Sequence, residues 1–163
     1  MLTAKRLISA ILGAALAAVP VAASAKTTTN TLIARMRVDT SCKLFTEPLA
    51  FGNANIFSGQ IDAQANIRLQ CGPAVAYSVA IDNGTHYNGN RRMWNGGTFF
   101  SYVNYQIYRN AARTQVWGAT AGTMATGTTP ANGRVTLVAY GRVPSTIVLP
   151  SEYTDVVTVT VNF

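Results

Sequence analysis

Few residues in this sequence could carry out chemistry: one histidine, six acidic residues and two cysteines. His86 has Asp82 nearby, but neither a Gly-x-Ser-x-Gly nucleophile motif nor a pair of carboxylates accompanies it. The acidic residues show no metal-ligand spacing and no general acid–base arrangement; they are Asp39, Glu47, Asp62, Asp82, Glu152 and Asp155. We therefore expect no catalytic residue, metal site, cofactor or small-molecule substrate, and we interpret His86 as a solvent-exposed loop residue.

The first 25 residues have the three regions of a secretory signal. Lys5 and Arg6 are basic, the run from Leu7 to Val19 is apolar, and Ala23-Ser24-Ala25 supplies small residues. This pattern predicts a signal peptide over 1–25 that is cleaved after Ala25. The apolar run is shorter than the roughly 20 residues that cross a bilayer, so an uncleaved membrane anchor is the weaker alternative. We expect the remaining chain to be exported and soluble.

Export bears directly on the two cysteines, Cys42 and Cys71. An oxidising compartment favours a disulfide between them, and only one pairing is available. A metal site or a catalytic thiol lacks companion residues, because the sequence has no other cysteine and a single histidine. Closing a loop of about 30 residues is expected to stabilise the fold by roughly 3 to 4 kcal/mol.

The charge of the chain is modestly basic. Removing Lys5 and Arg6 leaves 13 − 2 = 11 basic residues against six acidic ones, so the formal charge falls from +7 to +5. Arg91 and Arg92 are adjacent, but the other cations are scattered and no basic run interleaved with aromatic residues occurs. We expect solvated surface charge and no nucleic-acid partner.

The elements that must position these residues are strands. Apolar and polar residues alternate from Ile61 to Cys71, which is the clearest strand signal in the chain. A second alternating set runs from Val75 to Ile81, and the turn residues Asp82-Asn83-Gly84 end it. Further strands are predicted at Phe99 to Tyr108 and Arg134 to Val143, with polar, glycine-rich connections at Asn83 to Thr98 and Gly118 to Gly133. This pattern predicts an all-β chain, folded as one antiparallel β-sandwich.

Two further segments have one apolar face each. At the C-terminus Val157, Val159, Val161 and Phe163 share one face, and the opposite face carries Val156, Thr158, Thr160 and Asn162. No hairpin follows to pair this apolar edge, so we expect another part of the chain or another molecule to cover it. Near the N-terminus Leu32, Ala34, Met36 and Val38 alternate with Ile33, Arg35, Arg37 and Asp39. This segment is predicted as a strand on a flexible leader, and an ordinary first strand of the sandwich is an equal alternative.

An ordered set of short motifs resembles the spore coat U family, the secreted pilins of the archaic chaperone-usher pathway. Each motif is weak alone, but together they run across essentially the whole exported chain. They are Cys42-Lys43-Leu44, Leu49-Ala50-Phe51-Gly52, Leu69-Gln70-Cys71, Tyr77-Ser78-Val79-Ala80-Ile81-Asp82-Asn83-Gly84, Arg92-Met93, Asn104-Tyr105-Gln106-Ile107-Tyr108, Trp117-Gly118, Tyr140-Gly141-Arg142-Val143 and Tyr153-Thr154-Asp155.

The resemblance implies an immunoglobulin-like pilin domain over 41–163 that lacks its last strand, preceded by a donor-strand extension over 26–40. It implies that a periplasmic chaperone, and then a neighbouring subunit at the outer-membrane usher, fills the resulting groove by strand addition. On this basis we expect the donor residues Leu32, Ala34, Met36 and Val38 to lie against the acceptor strand residues Val157, Val159, Val161 and Phe163 of another copy. The expected function is that of a structural pilin in an extracellular, cell-surface fimbrium that supports adhesion and biofilm formation.

Two alternatives stay open from the sequence. The first is a secreted structural protein of a spore coat, which is the context that names the family. The second is a sugar-binding or surface-binding adhesin, because the loop after Gly84 carries side chains that can contact sugars: Tyr87, Arg91, Arg92, Met93 and Trp94. We favour the interpretation that Met93 and Trp94 pack under this loop.

Overall fold

The computed structural model describes residues 26–55, 59–97, 102–144 and 149–163. The predicted signal peptide lies outside these residues. Eight strands and no helix occur in the described ranges: β1 Cys42–Thr46, β2 Ile61–Cys71, β3 Ala76–Ile81, β4 Arg91–Trp94, β5 Tyr102–Tyr108, β6 Ala125–Thr128, β7 Arg134–Val143 and β8 Val159–Asn162. The all-β class predicted from the sequence is confirmed. Accordingly, nothing in these ranges is a helix of the length and apolarity that crossing a membrane requires.

The strands form two sheets in which every pairing is antiparallel. The larger sheet has the order β1-β2-β7-β5-β4, and the smaller has the order β6-β3-β8. Strands β2 and β7 form the longest ladder, from Ile61 opposite Val143 to Gln70 opposite Arg134. Consequently β8 lies at the edge of its sheet, and β3 is the one strand of the described chain with which it pairs.

The core lies between the two sheets. In β2 the inward positions Ala63, Ala65, Ile67 and Leu69 are buried, as the alternating sequence predicts, because successive side chains of a strand point to opposite faces. Val79 and Ile81 of β3 supply the facing layer and are essentially inaccessible to solvent. Trp117 is also buried, and its indole N–H donates to the carbonyl of Val79 at 2.8 Å. Burial of these side chains is what holds the two sheets together.

Several strand predictions need correction. The connections predicted at Asn83 to Thr98 and Gly118 to Gly133 contain strands β4 and β6, because four-residue strands in polar surroundings give almost no periodic signal. The terminal strand is regular over Val159–Asn162, whereas the alternation extends back to Val156. β1 was not predicted. Of the segment predicted at Phe99 to Tyr108, the described part is β5.

The predicted turn and the predicted disulfide are both present. Gly84 has a φ of +82°, a left-handed conformation that residues with a side chain rarely adopt, and its N–H donates to the Asp82 carboxylate at 3.0 Å. Cys42 and Cys71 are joined, and they face each other at the start of the β1–β2 ladder. The disulfide therefore fixes β1 to the end of β2.

The chain divides into two units, Met1–Arg37 and Val38–Phe163, and all eight strands belong to the second. Residues 26–41 contain no regular secondary structure. The strand predicted over Leu32 to Val38 is therefore not formed in this structure, and the alternative, a first strand of the sandwich at that position, is not formed either.

Candidate functional site

The residues at the C-terminal end of the chain alternate between the core and solvent. Val157, Val159 and Val161 are half-buried and pack against the core, whereas Val156 is 72% exposed. Phe163 was predicted to share the inward face, but it is 56% exposed. The inward face of the terminal segment, which we define as residues 153–163, is thus only partly covered.

A cleft of about 380 Å³ opens beside this terminal segment. The terminal segment from Tyr153 to Val157, with Val159, forms one wall. The end of β1 and the stretch that follows it, from Thr46 to Leu49 with Phe51, form the other. The floor is apolar and comes from both sheets: Ala65, Ile67, Ile81, Met93, Tyr105, Ile107 and Ala139. Of the four predicted acceptor residues, Val157 and Val159 line this terminal cleft, whereas Val161 and Phe163 lie beyond it.

The wall opposite the terminal segment is held by a close approach to β7. Leu49 and Phe51 pack over Gly141, where an added Cβ atom would lie 2.8 Å from Leu49 Cδ2 and 2.9 Å from Phe51 Cζ. The ring of Phe51 also meets Tyr105 edge-on, at 6.0 Å between centroids. Glu47 anchors the beginning of this wall to β2, since its carboxylate accepts hydrogen bonds from the side chains of Asn66 and Arg68.

A buried carboxylate, Asp155, closes one end of the terminal cleft. Its side chain is 2% exposed. Oδ2 accepts a hydrogen bond from the Tyr105 hydroxyl at 2.7 Å, and Oδ1 accepts from the Thr85 N–H at 3.1 Å and lies 3.2 Å from His86 Nδ1. Burial, together with the hydrogen bond to Asp155, raises the pKa of Tyr105 far above its ordinary value, so this hydroxyl stays a donor. These bonds tie the start of the terminal segment to the turn after β3.

Arg91 is a second buried charge, 2% exposed. Its guanidinium donates to the carbonyls of Ile81, Asp82 and Trp117 and to the side chain of Gln106. Burial lowers the pKa of Arg91 from its ordinary value, although the nearby Tyr105 and the Asp82 and Asp155 carboxylates oppose this shift. Arg91 therefore acts as a structural brace among three chain segments and is not available to a ligand.

Sequence reasoning missed this network of Arg91, Tyr105 and Asp155. One signal was present: Arg91 and Met93 are two residues apart, which places them on the same inward face once the segment is recognised as a strand. Met93 packs against the core, as expected, whereas Trp94 is 37% exposed. The prediction that His86 is solvent-exposed was wrong, because its side chain is 25% exposed and is held against Asp155.

The predicted donor residues lie in the stretch that has no regular structure. Leu32 is 94% exposed, Met36 87% and Val38 77%, and Ala34 is exposed as well. Ile33, on the opposite face of the sequence pattern, is also exposed. Such side chains gain free energy when another surface removes them from water.

The chemistry that this arrangement offers is association through an edge. Within the described ranges no group of three or more His, Cys, Asp or Glu side chains could hold a metal ion. An apolar cleft next to an unpaired strand edge is instead the arrangement that accepts an added strand, since the backbone of the edge can donate and accept hydrogen bonds while the cleft receives alternate side chains. The fold and the cleft define a class: all-β domains of two antiparallel sheets with an apolar cleft beside a strand edge.

Comparisons with known proteins agree with this class. The family model of the Spore Coat Protein U domain matches residues 28–160, and the chain belongs to this family. A search of curated proteins found no significant match.

Among the solved structures that are similar in fold is the CsuC-CsuE chaperone-tip adhesion subunit pre-assembly complex from archaic chaperone-usher Csu pili of Acinetobacter baumannii. The TM-score is 0.62 at 20% sequence identity. The match covers 77% of this chain and 40% of the other, so this chain spans less than half of its length. At this identity the likeness shows the fold alone.

Proposed function

We propose that this chain is a structural pilin subunit of a chaperone-usher type surface fibre and that it polymerises by donor-strand complementation. The observation that carries the proposal is the terminal cleft, an apolar space beside the unpaired edge of β8. A strand laid in this cleft extends the small sheet and covers the half-buried face of Val157 and Val159. The edge then no longer promotes unspecific aggregation.

The donor in this proposal is the N-terminal extension of a neighbouring copy. Leu32, Ala34, Met36 and Val38 point to one face of an extended segment and enter the cleft, while Arg35 and Arg37 on the other face stay in solvent. Removing leucine, methionine or valine from water is worth roughly 1.5 to 3 kcal/mol each. The cost of ordering the extension reduces this gain.

A chaperone and an usher are the handling partners in this proposal. The open edge needs protection before assembly, and a periplasmic chaperone that lends a strand provides it. A solved complex of a chaperone with a subunit of similar fold supports the first partner. Export through the periplasm to an extracellular fimbrium, with adhesion and biofilm formation as its consequences, completes the proposed function.

The substitution Met36→Arg tests the donor assignment. It would place a charge in an apolar cleft, where an unpaired ion is strongly disfavoured, so we expect polymerisation of the purified subunit to stop. The thermal stability of the monomer should stay unchanged, because the strands of the described domain begin at Cys42. Fibre formation is followed by electron microscopy and light scattering.

Ile33→Arg is the matched control, since Ile33 belongs to the same extension but to its opposite face. This face already carries arginines, so the variant should polymerise like the unmodified chain. Fibres of normal length from Met36→Arg, or equal loss in both variants, would contradict the donor assignment.

A further inference from the structure

Four side chains form a partly exposed surface on strands β4 and β5 and the turn before them. Trp94 and Tyr102 are cross-strand partners, and the His86 ring lies 5.3 Å from the first and 6.1 Å from the second between centroids. The Arg92 guanidinium lies 4.2 Å above the centre of the Tyr102 ring. Trp94 remains 37% exposed and Tyr102 43%. We call these four residues the aromatic patch.

The aromatic patch lies directly beside the start of the terminal segment. Trp94 and Thr154 exchange two backbone hydrogen bonds, of 2.8 and 3.0 Å. Thr154 precedes Val157 by three residues, so the patch adjoins the end of the terminal cleft at which Val157 lies. A chain segment that leaves the terminal cleft at this end therefore passes next to the aromatic patch.

The disulfide lies at the opposite end of the long strands. In β2, Ile61 is paired with Val143, and ten residues later Cys71 closes the strand at the other end. β5 joins β7 near Val143, with Gln106 opposite Arg142. Tyr102 precedes Gln106 by four residues in β5, which runs antiparallel to β7. Tyr102 therefore lies beyond Val143 and Ile61, at the end of the sheet opposite to Cys71.

Two turns flank the disulfide and together form what we call the disulfide end. Cys71 donates its backbone N–H to Gly133 at 2.9 Å, and Ala74 donates to Thr129 at 3.1 Å, so the turns at 72–75 and 129–133 lie side by side. Apart from Asn132, their exposed residues are small and apolar: Pro73, Ala74, Pro130 and Ala131. Such side chains pack well against the faces of aromatic rings.

The short linker between the donor segment and its own domain determines which end of the accepting copy lies beside the disulfide end of the donating copy. Three residues, 39–41, separate Val38 from Cys42, and an extended chain spans at most about 3.6 Å per residue, so these two positions lie within roughly 14 Å. A donor that runs antiparallel to β8 puts Val38 next to Val157 of the accepting copy. The disulfide end of the donating copy is then held beside the aromatic patch. The parallel direction would instead put Val38 near Phe163 and hold the disulfide end of the donating copy against that of the accepting copy. The accepting copy's own extension begins at this end, at Cys42, so the two extensions would compete for the same space.

We propose that the aromatic patch is a second contact between successive copies of this chain, and that it receives the disulfide end of the copy whose donor segment fills the adjacent cleft. This inference rests on the proposed function and adds to it a contact outside the donor strand. The occupant is a second copy of this chain, and the contact is apolar, between the rings of Trp94 and Tyr102 and the turns at 72–75 and 129–133. Its role is to fix the relative orientation of successive subunits.

Hydroxyl-radical footprinting of the unmodified chain tests the proposal without any change to the patch. Oxidation of Trp94 and Tyr102 is compared between assembled fibres and the full-length Met36→Arg monomer. We expect a several-fold decrease in fibres, with Tyr140, which lies in the middle of β7, as the internal reference. Equal oxidation of the patch in fibres and monomer overturns the proposal. Failure of the unmodified chain to form fibres instead counts against the proposed function.

Cysteine cross-linking tests the identity of the occupant. Both native cysteines are joined to each other, so no free native thiol competes with the introduced ones. We expect fibres of the Trp94→Cys/Ala131→Cys chain to give a covalent ladder on a denaturing, non-reducing gel. The control pair Trp94→Cys/Gln64→Cys, with its second thiol in the middle of β2, should give none. Fibres without a ladder from the first pair, or equal ladders from both, overturn the contact.

Discussion

At the scale of single residues, two hydrogen-bonded carboxylates hold the terminal segment in place. Asp82 Oδ1 accepts hydrogen bonds from the backbone N–H groups of Gly84, at 3.0 Å, and Thr158, at 2.9 Å. Asp155 makes a similar link from the terminal segment to Thr85 and Tyr105. Carboxylates that accept several N–H bonds are strong ties, because removing them leaves the donors unsatisfied. The wall of the terminal cleft therefore depends on these two acids.

The charge of Asp82 predicts a pH dependence of stability. Burial alone would raise its pKa, but the Thr158 and Gly84 hydrogen bonds and the charge of Arg91 outweigh it, so the pKa of Asp82 lies below its ordinary value. A depressed pKa in the folded state means that the ionised group stabilises the fold above its unfolded pKa, near 3.9, and that this contribution is lost as the pH falls through the folded value. We expect Asp82→Asn to lower the free energy of unfolding by about 1 to 3 kcal/mol at pH 7.

The difference between this variant and the unmodified chain should shrink as the pH falls from 7 through the folded pKa of Asp82, as measured by urea unfolding at pH 7 and at successively lower pH values. Asp62→Asn is the control, because Asp62 pairs with Arg142 at the surface, where solvent screens the interaction. Its effect should be smaller and should disappear at high salt. An undiminished loss for Asp82→Asn at low pH would show that its ionisation does not stabilise the fold.

At the scale of elements, the long strands with a regular apolar alternation were predictable from the sequence. The short strands and the buried polar contacts between distant segments were not. β2 was predicted from Ile61 to Cys71 because one of its faces is buried, which imposes a period of two on the sequence. β4 and β6 escaped prediction because each has four residues. Arg91 looked like a surface charge, and only the backbone carbonyls of distant segments make its burial possible.

The candidate functional site was likewise predictable only in part. The apolar alternation of the terminal segment predicted an acceptor face, of which Val157 and Val159 line the terminal cleft. The opposite wall was not predicted, because Leu49 and Phe51 lie in a stretch without secondary structure and gain their positions only by packing over Gly141. Contacts between residues some 90 positions apart leave no periodic trace in one sequence.

The close approach at Gly141 predicts a substitution effect on the cleft wall. Gly141→Ala would push its methyl group against Leu49 and Phe51, at about 2.8 to 2.9 Å in the present arrangement. Overpacking of this kind costs roughly 1 to 3 kcal/mol and should move the wall into the cleft. We expect a lower melting temperature and weaker binding of a synthetic peptide of residues 27–40, measured by calorimetry.

Gly59→Ala is the matched control, because an added Cβ atom there meets nothing within 4 Å. This variant should keep both the stability and the peptide affinity of the unmodified chain. Unchanged peptide affinity in Gly141→Ala would show that the wall formed by Leu49 and Phe51 does not shape the donor site.

At the scale of the whole molecule, the proposed function requires one chain to carry both an acceptor, the terminal cleft, and a donor, the N-terminal extension. In that proposal the donor and acceptor surfaces differ, so the contact between copies is heterologous, and a heterologous contact that does not close into a ring repeats without limit. The disulfide fixes β1, and with it the base of the extension, to β2. Tension along a fibre would therefore pass from the donor segment into the core of each subunit.

Amide hydrogen exchange across residues 32–38 tests the central claim, that this segment becomes a strand in a neighbouring copy, most directly. In the monomer the segment has no regular structure, so its amides should exchange within the shortest measurable time. In assembled fibres we predict slow exchange of these amides, together with new protection along the outer edge of β8. Fast exchange of 32–38 in fibres would contradict the account, because the subunits would then be joined in another way.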